Sequence, residues 1–503
     1  MLTRVYEKID ALVDFAFKHL ELDEANGDWA RNQIFAIFGL DSYQPTGASA
    51  DPSADVETLV GEYTQAALDA GILPEERIGA VADQTMAILS LNPAQLQARF
   101  AQIREAEGAT AAMDWLFEYC THNYYVRKAQ LDRNPRFAVD DLIVTINLAK
   151  PEFRSAAKAQ AGNAVAGGYP KCTICHENEG FAGRVKYSLR TVPITLGGQK
   201  WFWQYSPYGY FHQHGIAVNY EHTPMHVDRG TFTRLMDFVD QFPDFFLGCN
   251  AALPRIGGSV LSHDHYQGGR GPLPMQEAVA WKTFEIEEFP QAKVEILDWY
   301  NTAVRVVSKD RAAVEEISDR ISHAWVSYRN EELSIIPGDG DDVFSAVSPT
   351  VVLTDRGYEM SIIFRSNIAS EEYPEGIFHA HPEFHAIKQE SIGLIEAQGL
   401  FILPARLVRQ LGVIERILVD DSEARAEGIL SGEGLLTGEL EEFNMVFGEL
   451  RERVGDSHDP ELIKEAVRAE LGSVCARILG NTAVFKDKNQ TVEFLLDLGF
   501  SEC

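Results

Sequence analysis

The chain has 503 residues, 45 % of them hydrophobic and 10 % aromatic, which suits several well-filled cores. A formal charge of −31 argues against a nucleic-acid backbone or an anionic membrane as the main partner, because either would repel it. The acidity leaves room for a local basic pocket that holds a small anion.

Val5, Ile9, Leu12, Val13, Ala16, Phe17 and Leu20 keep the spacing of one helix face, and similar patterns recur to about residue 130. The first quarter is therefore predicted helical. Charges interrupt every apolar run of the opening stretch, which lacks the apolar core and cleavage site of a secretory signal. No later stretch has the uninterrupted apolar length of a membrane span, so a cytoplasmic protein is expected. A period-two strand follows in "DLIVTINLA" (141–149), and then "AAKAQAGNAVAGGYP", predicted to be a flexible connection.

From about residue 185 to 270 the texture becomes strand-like: "TVPITL", a turn at Gly197 and Gly198, "KWFWQY" and "YFHQHGIAV". A helix is predicted near "GTFTRLMDFVDQF", followed by strands in "DFFLGCN" and "SVLSHDHYQ". The texture then repeats, with strands "VEILDW" and "VRVVS", a helix "RAAVEEISDRISHAWVSY", and a hairpin "VVLTDRGYEMSIIF" turning at Asp355 to Gly357. After "GIFHAHPEFHAIKQ" the tail reads as mainly helical. The fold class is α+β, with two antiparallel sheet-and-helix units between a helical N-terminal region and a helical tail. His379 and His381 repeat the His-x-His spacing of His263 and His265; internal duplication is one reading, and chance among fourteen histidines is the other.

Six of those histidines, His212, His214, His222, His226, His263 and His265, crowd one region that begins soon after "KCTICHENEG". Six cysteines are too sparse for a disulfide framework, and only Cys172 and Cys175 stand close together. Their Cys-x-x-Cys spacing lets two thiolates take adjacent corners of a tetrahedral zinc site, with His222 and His263 as the candidate remaining ligands. A redox pair is the competing reading, weakened because no βαβ pattern surrounds it.

In "GGSVLSHDHYQGG" a strand would put His263, His265 and Gln267 on one face, between glycine pairs that let phosphate groups approach backbone N–H groups. A metal on His263 would pin the strand and leave His265 to project into a pocket. Neutral imidazole is a good nucleophile near pH 7, and attack on phosphorus splits a group transfer into two displacements. Gln267 can donate a hydrogen bond to a phosphoryl oxygen but cannot act as acid or base. That suffices when the leaving group is itself a phosphate, and it avoids a spare base that would activate water. The plainer alternative is a pair of satisfied strand histidines.

Taken with "KCTICHENEGFAGR", "WFWQYSPYGYFHQHGIAVNYEHTPM", "TFTRLMDFVDQFP" and "IKQESIGLIEAQGLFILPARL", this motif resembles the second class of galactose-1-phosphate uridylyltransferases, bacterial members of the histidine-triad superfamily. The resemblance covers most of the chain and is loosest at both ends. It implies the superfamily's sheet-and-helix fold, present twice, in an N-terminal domain 1–275 (helical to 135, catalytic sheet 140–270) and a C-terminal domain 276–503. It implies transfer of UMP from UDP-glucose to galactose 1-phosphate through a uridylylated histidine, with His265 the nucleophile and Gln267 the phosphate-contacting glutamine. It further implies a structural zinc on Cys172, Cys175, His222 and His263, with no other cofactor. Asp264 and Tyr266 stand where the first class has proline and glycine.

Asn178, Arg184, Asn250, Gly258 and Ser259 fall in or near segments that resemble nucleotide- and phosphate-contacting loops, and Arg184 offers a fork to a phosphate. A surface salt bridge is its alternative use. His379, His381 and His385 are read either as a second metal or sugar-phosphate site or as loop histidines. The expected partners are UDP-glucose, UDP-galactose and hexose 1-phosphates, with no nucleic acid and no membrane; first-class relatives point to a homodimer, which the sequence itself leaves open. Competing functions are a UTP-dependent hexose-1-phosphate uridylyltransferase, a nucleoside phosphoramidate hydrolase, against which Gln267 counts, and a non-catalytic zinc-binding protein.

Overall fold

A computed structural model describes residues 2–148, 168–258, 260–340 and 342–503. The predicted connection after the first strand therefore falls mostly outside the described residues. In chain order, helices Leu2–His19, Gly27–Phe38, Val56–Asp69, Ile78–Leu89, Pro93–Glu107 and Ala109–His122 precede β1 (Arg136–Val139) and β2 (Leu142–Asn147). Next come β3 (Val192–Leu196), β4 (Gln199–Tyr205), β5 (Gly215–Asn219), helix Arg229–Gln241, β6 (Phe245–Gly248) and β7 (His265–Arg270). They are followed by β8 (Ala280–Glu285), β9 (Lys293–Leu297), β10 (Ala303–Ser308), helix Arg311–Ser327, a short pair β11 (Gly338–Asp339) and β12 (Asp342–Val343), β13 (Ser345–Thr354) and β14 (Gly357–Ser366). β15 (Leu400–Pro404) leads into a mainly helical tail, and β16 (Ser501–Glu502) ends the chain. The class is α+β, as the sequence predicts. Its order of three strands, a helix and two strands occurs twice, once from β3 to β7 and once from β8 to β14, setting aside the short pair.

The chain divides into two compact units, one comprising Met1–Arg133 with Ala164–Thr223, the other Asn134–Asn163 with Pro224–Cys503. In the first, the helix Leu2–His19 buries Val5, Ile9, Leu12, Val13 and Ala16, the stripe visible in the sequence. Helix starts are fixed locally: Asp55 accepts from the N–H of Thr58, and Asn92 forms a capping box with Gln95. β3, β4 and β5 form an antiparallel run in which Trp201 and Trp203 are fully buried. "YFHQH", expected to extend this last strand, is instead a turn segment, where Gln213 takes a left-handed φ of 55° and β5 begins only at Gly215.

In the second unit β16, β8, β9, β10, β14, β13, β6 and β7 lie side by side in that order, antiparallel throughout. Helix Arg311–Ser327 covers one face, its Trp325 ring stacked on Phe364 at 4.9 Å and its indole N–H donating to the Ala346 carbonyl at 2.9 Å. A second, three-stranded sheet pairs β1 with β2 antiparallel and β2 with β15 parallel. Its Val144, Ile146, Phe401 and Leu403 join a core with Leu407, Leu411 and Ile414 of the tail. No described helix is long and apolar enough to cross a membrane.

The β13–β14 hairpin supports β6 and depends on Gly357, whose φ is +106° and whose hypothetical Cβ would lie 2.4 Å from the Ser308 carbonyl oxygen. Neither the backbone angle nor the carbonyl can yield cheaply. Gly357→Ala is expected to cost about 2–4 kcal/mol of stability, read as a lower urea midpoint; an unchanged midpoint would show that this turn has slack.

Candidate active site

Cys172 and Cys175 are brought together in the first unit by a short loop that closes on Asn178. The fully buried amide of Asn178 donates to the carbonyls of Cys172 at 2.9 Å and Cys175 at 2.8 Å, tying the loop into a knuckle. The two sulfurs stand 3.3 Å apart, and Cys175 Sγ lies 3.2 Å from His222 Nδ1. The ligand atoms of Cys172, Cys175 and His222 are all within 4.8 Å of one another, so two thiolates and an imidazole converge as a soft metal would require. The Cys172 thiol is pulled down to about 7, chiefly by its hydrogen bond with Cys175 and against the effect of burial. Lys186 donates to the Thr173 carbonyl at 2.7 Å beside them, and burial pushes its amine down to about 8. Arg184, itself half-buried, ends an otherwise exposed turn, Ala182–Arg184, followed by Val185 at a left-handed φ of 52°, an unusual angle for a β-branched residue.

In the second unit β7 begins at His265, so His265 and Gln267 share a face while His263 sits in the preceding turn rather than on the strand. The turn frees the His263 carbonyl to accept from His265 Nδ1 at 2.7 Å. A carbonyl can only accept, so Nδ1 carries the proton and the lone pair resides on Nε2. His265 is buried, and burial holds its imidazole down at about 4, against the opposing pull of the His263 carbonyl. At neutral pH it is an unprotonated imidazole of fixed tautomer.

Asn250 and Gly258 stand at that lone pair. A Cβ built on Gly258 would lie 3.2 Å from Asn250 Nδ2 and 3.7 Å from His265 Nε2, so the backbone passes close over both groups. Asn250 is buried and its Oδ1 accepts from the Leu394 N–H at 2.8 Å, which turns its NH2 toward Gly258 and His265. Gln267 is half-buried on the same face, opposite Gly248 of β6. The face thus offers one unprotonated ring nitrogen and neutral amide groups. Ser259 lies outside the described residues.

Density of histidines proves a poor guide to chemistry. His212 packs edge-on against Phe117 at 5.6 Å, His214 stacks on Tyr210 at 4.9 Å, and His226 lies exposed, 3.4 Å from Asp228. His379 Nδ1, His381 Nε2 and His385 Nε2 each engage a backbone carbonyl, of Ala380, Ile377 and Ala380 respectively, at 3.0–3.2 Å. Among the described residues these three form no cluster that could hold a metal. Sequence reasoning missed the Gly393–Leu394 backbone as the partner of Asn250; its signal is "IKQESIGLIEAQG", which supports the family resemblance but had been given no role.

Two family models match the chain: galactose-1-phosphate uridyl transferase, N-terminal domain, over residues 49–224, and galactose-1-phosphate uridyl transferase, C-terminal domain, over residues 237–415. The galactose-1-phosphate uridylyltransferase of Bifidobacterium longum is 57 % identical over 521 residues, covering 99 % of each chain. That of Halalkalibacterium halodurans is 34 % identical over 499 residues, covering 95 % of each. Among solved structures, yeast Ap4A phosphorylase Apa2 covers 66 % of this chain and 92 % of its own at 10 % identity and a TM-score of 0.30, too slight a likeness to bear on the fold.

The crowding at Gly258 is directly testable. Gly258→Ala puts a methyl against the Asn250 amide, and uridylyltransferase turnover is expected to fall about tenfold or more while the melting temperature holds. Wild-type turnover in this variant would remove Asn250 from the working geometry.

Proposed function

The chain belongs to the galactose-1-phosphate uridylyltransferase family, and on that premise we propose that it moves UMP from UDP-glucose to galactose 1-phosphate through a uridylylated His265. It is a uridylyltransferase; the donor, the acceptor and the covalent route are the proposal. The observation that carries it is the Nδ1–H bond from His265 to the His263 carbonyl, which leaves Nε2 with its lone pair at every pH near neutrality.

In the first displacement Nε2 attacks the α-phosphorus of UDP-glucose. The bond from that phosphorus to the bridging oxygen breaks, and glucose 1-phosphate leaves with the electron pair. Positive charge developing on the ring is shared with the His263 carbonyl through Nδ1–H. In the second displacement a phosphate oxygen of galactose 1-phosphate attacks the same phosphorus, and the P–N pair returns to Nε2. Asn250 and Gln267 donate to the phosphoryl oxygens, where negative charge grows. Gly258 admits the nucleotide, with Ser259 beside it. Arg184 is assigned to a substrate phosphate, and Asn178 supports the nucleotide-facing loop through the knuckle it ties.

Zinc is the proposed metal of Cys172, Cys175 and His222, with His263 its fourth ligand on the sequence spacing and the family resemblance. Bound there, it cross-links the loop and takes no part in the displacements.

Rapid mixing with UDP-glucose labelled in the uridylyl group should leave acid-labile, base-stable label on the wild-type protein and none on His265→Ala. Because the ring stays neutral down to about pH 4, the rate of label uptake should be nearly flat from pH 7 to pH 5, where a free histidine would lose reactivity below about 6.5. Full turnover without label would end the covalent route. For the metal, purified protein should carry about one zinc per chain, and Cys175→Ser and His263→Ala should each carry far less. Undiminished zinc in the His263 variant would exclude it as a ligand.

A further inference from the structure

The side of β7 opposite His265 carries a second set of groups that the proposed chemistry does not use. On the β6 side, pairing runs from Phe245 opposite Arg270 to Gly248 opposite Gln267, so His265 and Tyr266 lie beyond it. Tyr266 points away from His265 and is fully buried, and its phenol oxygen receives the Nε–H of Arg234 at 2.6 Å. Arg234 belongs to helix Arg229–Gln241. Its Nη2 also donates to Thr231 Oγ1 at 3.2 Å and approaches Asp228 Oδ1 at 3.4 Å. Asp228 in turn caps that helix, accepting from the Thr231 N–H at 3.0 Å. Asp264, between the two motif histidines, is 1 % exposed, and its Oδ1 has no hydrogen-bond partner among the described residues.

A buried guanidinium held between a phenol and a carboxylate is a costly way to fill space. Apolar residues of similar volume commonly do as well or better for stability, so retention of such a group points to geometric specification. We propose that Arg234 and Tyr266 are positioning residues that tie the start of β7 to helix Arg229–Gln241 and so set the height of His265 Nε2 relative to Asn250. A bond at Tyr266 constrains the peptide adjoining His265, and a displacement of well under 1 Å there would lengthen the path from Nε2 to phosphorus.

This rests on the reading of His265 as the labelled nucleophile and is tested with the same labelling reaction. Tyr266→Phe removes one oxygen and keeps the ring. The rate constant for label uptake is expected to fall about tenfold, with the KM for UDP-glucose and the melting temperature unchanged. Arg234→Lys, which can still donate to the phenol, is expected to keep more of the rate than Arg234→Gln. A group that merely filled space would instead lower the melting temperature and spare the rate per folded molecule. An unchanged rate in Tyr266→Phe, or a rate loss that follows the loss of folded protein, overturns the proposal. Should Tyr266→Phe not fold, the two Arg234 variants decide, equal rates overturning it. Absence of label on the wild-type chain would sink the nucleophile reading, whereas a labelled wild type with unaffected variants sinks only the positioning role.

Discussion

One hydrogen bond organises the site: His265 Nδ1–H to the carbonyl of His263, 2.7 Å away. It selects the tautomer and fixes the ring plane. The bond depends on a backbone detail, since a carbonyl lying in a regular ladder would point sideways to a neighbouring strand. Because β7 starts only at His265, the carbonyl two residues earlier is free to turn toward the ring. The late start of the strand is therefore part of the chemistry.

From that constraint the rest of the face follows. For the proposed displacements a neutral imidazole needs donors for the oxygens of its target and no competing base. Asn250 meets the first need because the Leu394 N–H occupies its carbonyl oxygen, leaving the NH2 with a defined direction. That N–H comes from a segment 144 residues away, anchored by Arg365, which donates to the Ile392 carbonyl at 2.7 Å. The imidazole thus stands at the start of β7 and the amide just past the end of β6, and the N–H that aims the amide comes from the first residue of the short helix Leu394–Ala397.

Much of this was legible in the sequence, for reasons that can be named. Period-two runs such as "KWFWQY" and "VRVVS" became β4 and β10, and the stripes of helices Arg229–Gln241 and Arg311–Ser327 were plain because each helix covers one sheet face. The Cys-x-x-Cys pair with His222, and His265 with Gln267, kept their expected company. What escaped was non-local or set by a single angle. Parallel pairing of β2 with β15 joins residues more than 250 positions apart and leaves no periodic trace. The left-handed Gln213 cut short a run that alternates well enough to be a strand. His263 belonged in the strand by alternation, yet its own carbonyl is better used outside it. The count of nearby histidines misled, because an imidazole against Tyr210 or Phe117 is simply a flat half-polar ring that packs well.

Alternation along β7 separates two sets of groups. On the proposed route a carboxylate on the face of His265 would be a hazard, because it could draw a proton from water and divert the uridylyl group to hydrolysis. Asp264 is buried, and burial raises its carboxyl to about 6 while Arg234 opposes that rise. The same period that puts Gln267 beside His265 keeps Tyr266 on the far side with Arg234. Arg234 is thereby held behind the strand, and Gln267 stands with His265 on the face where the proposed transfer takes place. A single-residue slip of register would exchange the two sets, so the register of β7 is under chemical as well as packing constraint.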